Sequence, residues 1–343
     1  MPRASDPVRI DVLAYDGCFA AEIVGLMDVL TIANAVSAAL MPGTNAPFQA
    51  RITSVRGGQI TAAGGIVLST HAARRRPDQL VVPGFAFTQM DELEDRLGSW
   101  SAELAYLRRT ADGTVRIASV CVGAFLLGEA GLLDGRAVTT SWLFASQLAR
   151  RYPKATVHTT DVIAHDGMIT TAGAFSAGHD LALDLVRGHA GDKVARATSN
   201  LTLLPARRGT QAPFVDETLI PVPHATFADD VRQWLRRRLS SPYDLDQLAT
   251  AFNVSPRTML RRFAAQTGQT PLSFLQGARV AAARRLLENS ELSVGEITRQ
   301  VGYGDTPTFR KLFIAVVGLA PSEYRRQFGR QRPPPAVKRT YAG

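Results

Sequence analysis

The last third of the chain repeats one hydrophobic pattern twice, about fifty residues apart. At an offset of 49, four positions recur: Leu245, Leu248, Ala249 and Phe252 correspond to Val294, Ile297, Thr298 and Val301. At an offset of 50, five more recur: Met259, Phe263, Gly268, Pro271 and Phe274 correspond to Phe309, Phe313, Gly318, Pro321 and Tyr324. Such self-similarity indicates one supersecondary unit used twice. Each copy predicts a helix-turn-helix, and a pair of copies predicts a chain that contacts two adjacent grooves of one DNA duplex.

The charge of the 343-residue chain is concentrated in this repeated region. The chain carries a formal net charge of +9. From residue 226 onward there are 19 lysines and arginines against 9 acidic residues, whereas the preceding residues have 20 against 21. A basic region favours polyanions because binding releases their counterions. The pattern predicts a nearly neutral globular body followed by a domain that binds double-stranded DNA.

Other features of the sequence indicate a cytoplasmic location. With only two cysteines, Cys18 and Cys121, no disulfide framework is implied. The amino-terminal segment lacks the apolar core of a signal peptide, and no uninterrupted apolar run is long enough for a membrane span. The histidines show no metal-ligand spacing, and no phosphate-binding glycine motif follows a predicted strand. We therefore expect no membrane partner, no metal and no cofactor.

The first two hundred residues alternate short apolar runs with amphipathic stretches. Predicted strands are Arg9–Tyr15, Arg51–Ser54, Gln79–Val82, Val115–Val120 and Met168–Thr171. Predicted helices lie near 20–40, 98–110, 124–131, 143–151 and 176–189. This alternation predicts a parallel sheet covered by helices on both faces, with a hairpin at Asp166-Gly167. Prolines then interrupt all periodicity, which predicts an interdomain linker.

Helix-capping signals open each predicted helix of the repeats. Asp244 with Gln247, and Ser293 with Glu296, have the spacing of an N-cap and its third helical residue. The second helix of each copy begins near Ser255 and Asp305. Its apolar residues should pack inward, leaving short polar residues and arginines free for base edges and phosphates. The predicted DNA-binding residues are Ser255, Arg257, Thr258, Arg261 and Arg262 in copy one, and Thr306, Thr308, Arg310 and Lys311 in copy two.

A long helix from Thr270-Pro271 to about Asn289 connects the two copies. At ~1.5 Å per residue it would span roughly 27 Å, a strut able to hold two recognition helices about one DNA turn (~34 Å) apart.

The strings SPRTMLRRFAAQTGQTPLSFL, GYGDTPTFRKLF and GLAPSEYRR resemble the AraC/XylS family DNA-binding domain. This resemblance covers residues 226–328 and implies sequence-specific promoter binding, most often as an activator.

A cysteine follows one predicted strand in the manner of a nucleophile elbow. Cys121 comes directly after the strand, and Gly123 opens a helical stretch. A thiol at a helix N-terminus should have a lowered pKa. The segment SVCVGAFLLGEAGLLDGRAVTTSW, with VVPG and TAGAFSAGHDLALDLV, resembles the PfpI/glutamine amidotransferase-like superfamily over residues 8–200. The resemblance implies a flavodoxin-like α/β sandwich in which Glu22 approaches Cys121.

A working thiol hydrolase also needs a base near the sulfur. Ser141 stands where this superfamily often has a histidine, and His179 looks more like a helix-start residue. We therefore expect a degenerate elbow of Cys121, Glu22 and Ser141 that is not catalytic. Glu22, Gly84, Cys121 and Ser141 are the predicted ligand-binding residues. A thiol amidase-like or hydratase-like enzyme with a DNA-binding appendage, and a regulator that senses oxidation of Cys121, remain alternatives.

The fusion of these two parts resembles the GlxA-type subgroup of AraC-family regulators. It predicts a sensing domain over residues 8–200, a linker over 201–225, a tandem helix-turn-helix over 226–328 and a disordered tail over 329–343. The sensing domain is expected to bind a small metabolite, which the resemblance implies is often nitrogen-containing, and to form a homodimer. Contact with RNA polymerase is a further expectation. We call the second helix of each copy, which is its recognition helix, the reader helix. Because copy one has more charge on its reader helix, we expect it to contribute more of the DNA affinity.

Overall fold

The computed structural model of this protein describes residues 6–87, 90–205, 208–216, 219 and 226–329. The chain divides into two compact units, residues 1–211 and 212–343. The predicted tail from residue 330 onward, and the linker residues 206–207, 217–218 and 220–225, lie outside the described part.

An eight-stranded sheet forms the centre of the first unit, in the order β3-β4-β2-β1-β5-β6-β10-β9. Its strands are β1 Val8–Leu13, β2 Phe48–Ser54, β3 Gly58–Thr61, β4 Val67–Ala72, β5 Gln79–Val82, β6 Arg116–Val120, β9 Ile163–Asp166 and β10 Ile169–Ala172. A two-stranded sheet pairs β7 Ala137–Val138 with β8 Thr156–Val157. The five pairings from β4 across to β10 are parallel, and β3 and β9 add antiparallel edges.

Six helices belong to the described part of this unit: α1 Ala20–Leu40, α2 Met90–Ser99, α3 Ser101–Thr110, α4 Ala124–Glu129, α5 Ala145–Arg151 and α6 Ala177–Thr202. Together with the sheet they confirm the predicted flavodoxin-like sandwich. Its single core lies along the sheet, where Ile10, Leu80 and Ala118 have no exposed surface. Parallel strands that are covered on both faces require such continuous apolar runs.

The structure contains strands that the sequence does not predict, among them β7 and β8, and changes the bounds of two predicted helices. Strands β3 and β4, which are not among the predicted strands, form a hairpin at one edge of the sheet. The predicted helix over 98–110 is the end of α2 and all of α3, with a break at Trp100. Helix α6 extends to Thr202 across an interruption at Gly191, where φ is +83°. The hairpin at Asp166-Gly167 is confirmed by the antiparallel pairing of β9 with β10.

Helix α1 is the one described helix whose 21-residue length and mean hydropathy of 1.8 would suffice for a membrane span. Core helices of α/β proteins also pass this test of length and composition. In this structure α1 packs against α6 and β2.

The described part of the second unit is helical throughout, apart from a short turn at Ala212–Phe214. Its helices are α7 Phe227–Arg236, α8 Leu245–Ala251, α9 Pro256–Thr267, α10 Pro271–Asn289, α11 Val294–Gln300, α12 Thr306–Val317 and α13 Pro321–Phe328. Two separate apolar clusters form, one centred on Met259 and Phe263 and the other on Phe309 and Phe313. The sequence repeat is therefore a structural repeat, in which each helix-turn-helix has its own small core.

Candidate functional site

The predicted elbow is present at the carboxyl end of β6. Cys121 adopts a left-handed backbone conformation with φ of +54°, which is uncommon for a residue with a side chain. Its backbone N–H donates to the carbonyl oxygen of Gly173, at 2.8 Å. A Cβ atom at Gly123 would lie 2.6 Å from the carbonyl oxygen of Pro83 and 2.7 Å from that of Val82. Glycine at this position lets the turn after Cys121 lie directly against the end of β5.

Glu22 and Gly84 meet Cys121 at this edge of the sheet. The backbone N–H of Gly84 donates a 2.6 Å hydrogen bond to Oε2 of Glu22. A Cβ atom at Gly84 would lie 3.1 Å from the Cys121 Cβ and 3.3 Å from Glu22 Oε2. The chain passes from β1 to β2 on one side and later to β5 on the other, so β1 and β5 flank a topological switch point, where such folds bind ligands.

The carboxyl group of Glu22 has an unusual environment. Glu22 is 4% exposed, and its Oε1 has no hydrogen-bond partner among the described residues. Burial raises the pKa of Glu22 to about 8, although the hydrogen bond from Gly84 opposes the shift. Near neutral pH this carboxyl group can therefore be present in both its neutral and its charged form.

The expectation of a lowered pKa at Cys121 was wrong. Burial, with the neighbouring carboxylate of Glu22 as a second cause, raises the pKa of the Cys121 thiol well above its usual value. Cys121 is only 7% exposed, so loss of hydration outweighs the backbone N–H groups that favour the thiolate. Burial likewise raises the pKa of Cys18 to about 11.

The structure does not join the Ser141 side chain to Cys121 by any described hydrogen bond. Ser141 is buried, and its neighbour Thr140 makes the contact instead: the Thr140 hydroxyl donates a 2.7 Å hydrogen bond to the Cys121 carbonyl oxygen. His179 lies in the first turn of α6, where a Cβ atom on Gly25 would be 2.9 Å from its Nε2. His179 is thus a packing residue between α6 and α1, as its position in the sequence suggested.

Sequence reasoning missed Gln211, whose buried side chain makes hydrogen bonds to the backbone beside Ser141 and Gly173. Its Nε2 donates 2.9 Å hydrogen bonds to the carbonyl oxygens of Thr140 and Asp161. Its Oε1 accepts from the backbone N–H of Ala174, at 2.9 Å. A Cβ atom on Gly173 would lie 2.4 Å from the Gln211 amide carbon. Gln211 lies in the proline-containing stretch that carries no periodic signal, and its partners are distant in sequence.

Both predicted reader helices form, and their predicted caps are present. Asp244, Ser255, Thr270, Ser293 and Asp305 each accept a hydrogen bond from the backbone N–H three residues later. Ser293 and Glu296 form the reciprocal capping box. Pro256 lies at the start of the reader helix α9, and Pro307 lies at the start of the reader helix α12, as expected for helix initiation.

The predicted DNA-binding side chains lie on the outer faces of α9 and α12. Of the eight that lie on these two helices, six are exposed: Arg257, Arg261, Arg262, Thr308, Arg310 and Lys311. Thr258 and Thr306 are half-buried, and Ser255 is exposed. The Ser255 hydroxyl donates to the Thr258 hydroxyl, at 2.9 Å, so these two side chains already serve the cap.

Arg262 differs from its neighbours because its guanidinium group has an aromatic partner. Its Cζ lies 4.0 Å from the ring centre of Phe227, a cation–π contact with α7. The prediction that Arg262 is a free DNA contact overlooked this ring, which is far away in sequence. Among the residues that the structure describes, no group of three or more histidine, cysteine, aspartate or glutamate side chains could hold a metal ion.

Comparison with known proteins assigns both units. Residues 8–188 match the DJ-1/PfpI family and residues 248–327 match a helix-turn-helix domain. The regulator GbdR of Pseudomonas aeruginosa is 23% identical over 333 residues, covering 95% of this chain and 86% of its own. The regulator GlxA of Rhizobium meliloti is 30% identical over 232 residues, covering 67% of this chain and 71% of its own.

A third relative has the same kind of name. CdhR of Pseudomonas aeruginosa is also named an HTH-type transcriptional regulator and is 27% identical over 81% of this chain and 82% of its own length. These names support a regulator rather than an enzyme. The chain belongs to the DJ-1/PfpI family and is a DNA-binding transcriptional regulator of the GlxA type, with an AraC-type helix-turn-helix region.

Proposed function

We propose that this regulator is a promoter-binding activator controlled by a small metabolite that binds beside Glu22, Gly84 and Cys121. Ser141, buried next to Thr140, belongs to the same proposed region. The DNA-binding residues of α9 and α12 would contact two successive major grooves of one duplex. The proposal includes a homodimer, contact with RNA polymerase at the target promoter, and a cytoplasmic location.

The unpartnered Oε1 of Glu22 is the observation that carries this proposal. A buried acceptor without a hydrogen bond costs free energy, about 1–3 kcal/mol for an ordinary polar group and more for a charged one. A ligand that brings an N–H or O–H donor to this oxygen removes the cost. The pKa of Glu22 is about 8, so its carboxyl group is largely neutral near pH 7. A cationic nitrogen group beside it would favour the charged carboxylate and pair with it. A nitrogen-containing effector therefore suits this chemistry.

A chain of hydrogen bonds leads from this site to the carboxyl end of the first unit. The Thr140 hydroxyl donates to the carbonyl oxygen of Cys121, and the Gln211 side chain donates to the carbonyl oxygen of Thr140. Gln211 is the last residue of the first compact unit, and Ala212 is the first residue of the second. A ligand that binds two states of this region with different affinities would shift the balance between those states, and through it the affinity of the reader helices for DNA.

Homodimer formation is supported by exposed apolar side chains near the starts of α1 and α6. Val24 is 40% exposed and Phe175 is 47% exposed. Phe175 makes an edge-on contact with Phe19, directly before α1, with the ring centres 5.5 Å apart. A second copy of the chain would cover these side chains. Mass photometry of the full chain at nanomolar to micromolar concentration tests this part of the proposal.

Selection of binding sites from random DNA, repeated with sets of amine-containing and amine-free metabolites, tests the main proposal. The selected duplex then reports affinity by fluorescence anisotropy with and without each metabolite. We expect one nitrogen-containing compound to change the affinity, and Glu22→Gln to lose the response. Asp28→Asn, which removes an exposed carboxylate from the same helix, is the matched control and should respond normally. A response that survives Glu22→Gln unchanged would place the effector site elsewhere.

A further inference from the structure

The two helix-turn-helix motifs have separate cores that share a single helix. Helix α10 contributes Phe274, Leu275 and Ala278 to the first core. It contributes Val280, Ala283 and Leu287 to the second. A shared helix sets the distance between the two motifs, but each small core could still tilt around it. The angle between the reader helices therefore needs a further contact.

Arg279 supplies this contact, since it lies on α10 between the residues that enter the first core and those that enter the second. It is 6% exposed. Its Nε donates a 2.7 Å hydrogen bond to the carbonyl oxygen of Leu239, and its Nη2 donates a 2.6 Å hydrogen bond to that of Ser241. Both acceptors lie between α7 and α8, in the first motif. The Arg279 Cζ also lies 5.1 Å from the ring centre of Tyr303, in the turn of the second motif. One buried side chain thus contacts both motifs.

Gly302 brings the backbone of the second motif against the same place. Its φ is +87°, and a Cβ atom there would lie 2.6 Å from the Leu239 carbonyl oxygen and 2.9 Å from the Ser240 Cα. It would also lie 3.0 Å from Nη2 of Arg279. Because most of these atoms are backbone, a side chain at residue 302 would push the two motifs apart.

The corresponding residue of the first motif has no such restriction. Asn253 occupies the position 49 residues earlier, also with a positive φ, of +51°, and its side chain is exposed. Both turns need the left-handed conformation, which asparagine tolerates and glycine adopts freely. Only the second turn excludes a Cβ atom by contact with the other motif. The asymmetry between the two copies at this position follows from the junction.

We propose that Arg279, together with Gly302, is a positioning element that fixes the angle between α9 and α12, so that the protein accepts only one spacing between its two DNA half-sites. The inference rests on DNA binding by both readers. Arg279 acts through the motifs that it joins and need not touch DNA. One inserted base pair moves the second half-site by ~3.4 Å and rotates it by about 34°, which rigidly joined readers cannot follow.

The test uses the full chain and a selected bipartite duplex in which the half-sites are separated by the preferred spacing, by one base pair fewer, and by one or two more. Affinity is measured by fluorescence anisotropy, and a duplex with the first half-site alone is included. Arg279→Met keeps the length of the side chain but removes both donors. Arg285→Met, an exposed residue on the same helix, is the matched control.

Wild type and Arg285→Met should lose about tenfold or more in affinity at the wrong spacing, the scale of one lost base contact. For Arg279→Met we expect a loss of less than about threefold, with affinity for the single half-site unchanged. A purely destabilising effect would weaken all duplexes in parallel and leave the spacing preference intact, which would overturn the proposal. If Arg279→Met does not fold, Gly302→Ala gives a second measurement, and an unchanged spacing preference in that folded variant would also overturn it.

Discussion

The side-chain amide of Gln211 donates a 2.9 Å hydrogen bond to the carbonyl oxygen of Thr140, the residue whose hydroxyl donates to Cys121. Gln211→Ala leaves two carbonyl oxygens and two backbone N–H groups, those of Ala174 and Trp142, without this partner. Each buried group that loses its partner costs about 1–3 kcal/mol. We expect a lower unfolding midpoint and a DNA affinity that no longer responds to the effector. Chemical denaturation and anisotropy with the selected duplex measure the two effects.

Gln59→Ala provides the matched control for this experiment, because Gln59 is exposed on β3. It should change neither stability nor the effector response. If Gln211→Ala responds to the effector like wild type, the hydrogen bonds of Gln211 stabilise the first unit but do not couple effector binding to DNA affinity.

The pKa of Glu22 predicts a distinct pH dependence of stability. Its folded-state pKa of about 8 lies above the ordinary value of 4.5, so the folded protein binds the proton more tightly than the unfolded chain. The stabilisation is complete below the unfolded-state pKa and is lost as the pH rises through about 8. Glu22→Gln removes this titration, so the variant should gain stability relative to wild type as the pH rises.

Denaturant unfolding of both proteins between pH 5 and pH 9, at intervals of about one unit, measures this difference. Across that interval we expect the difference in unfolding free energy to change by a few kcal/mol, on the scale of about 1.4 kcal/mol per unit of pKa shift. Subtracting the two curves cancels the other titrating groups. A difference that stays constant would show that the Glu22 carboxyl group has an ordinary pKa.

The raised pKa of Cys121 predicts that its thiol reacts slowly in the folded protein. Alkylation requires the thiolate, and each unit of pKa shift lowers the thiolate fraction about tenfold. In a Cys18→Ala background, we expect native Cys121 to be alkylated at pH 7.5 at least about a hundredfold more slowly than in denaturant. Mass spectrometry of time points gives both rates.

The reverse variant, Cys121→Ala, reports on Cys18, whose thiol is also buried and should be similarly slow. Rapid modification of Cys121 in the folded protein would instead support the alternatives of a thiol enzyme or a redox sensor. Slow modification of both residues leaves Cys121 as part of a binding site, where its buried thiol contributes shape and weak hydrogen bonding.

The parts of the fold that depend on neighbouring residues could be predicted from the sequence. Helix caps such as Ser293 with Glu296 join residues three apart, and the elbow at Cys121 is a strand directly followed by a turn. The features that were missed depend on distant contacts. Gln211 meets Thr140 across 71 residues, and the ring that covers Arg262 belongs to Phe227. The pKa of Cys121 is raised rather than lowered because burial causes the shift, and burial depends on the packing of the whole core.

The two reader helices should contribute unequally to DNA binding. Arg261 on α9 and Arg310 on α12 are both exposed. The first reader also carries Arg257, whereas the second has Thr306 near its start and a more apolar sequence. We expect Arg261→Ala to weaken binding by about 1–3 kcal/mol and to relax the base preference at one position. Arg310→Ala should have a smaller effect on the same duplex.

Arg262→Ala separates contact with DNA from packing within the protein. Since the Arg262 guanidinium lies against Phe227, its loss should lower stability by about 0.5–1 kcal/mol, the range for an exposed cation–π contact. Its effect on base preference should be small beside that of Arg261→Ala. Titrations against the selected duplex and its single-base variants measure preference, and thermal unfolding measures stability. Equal losses of affinity for Arg261→Ala and Arg310→Ala would contradict the expected dominance of the first reader.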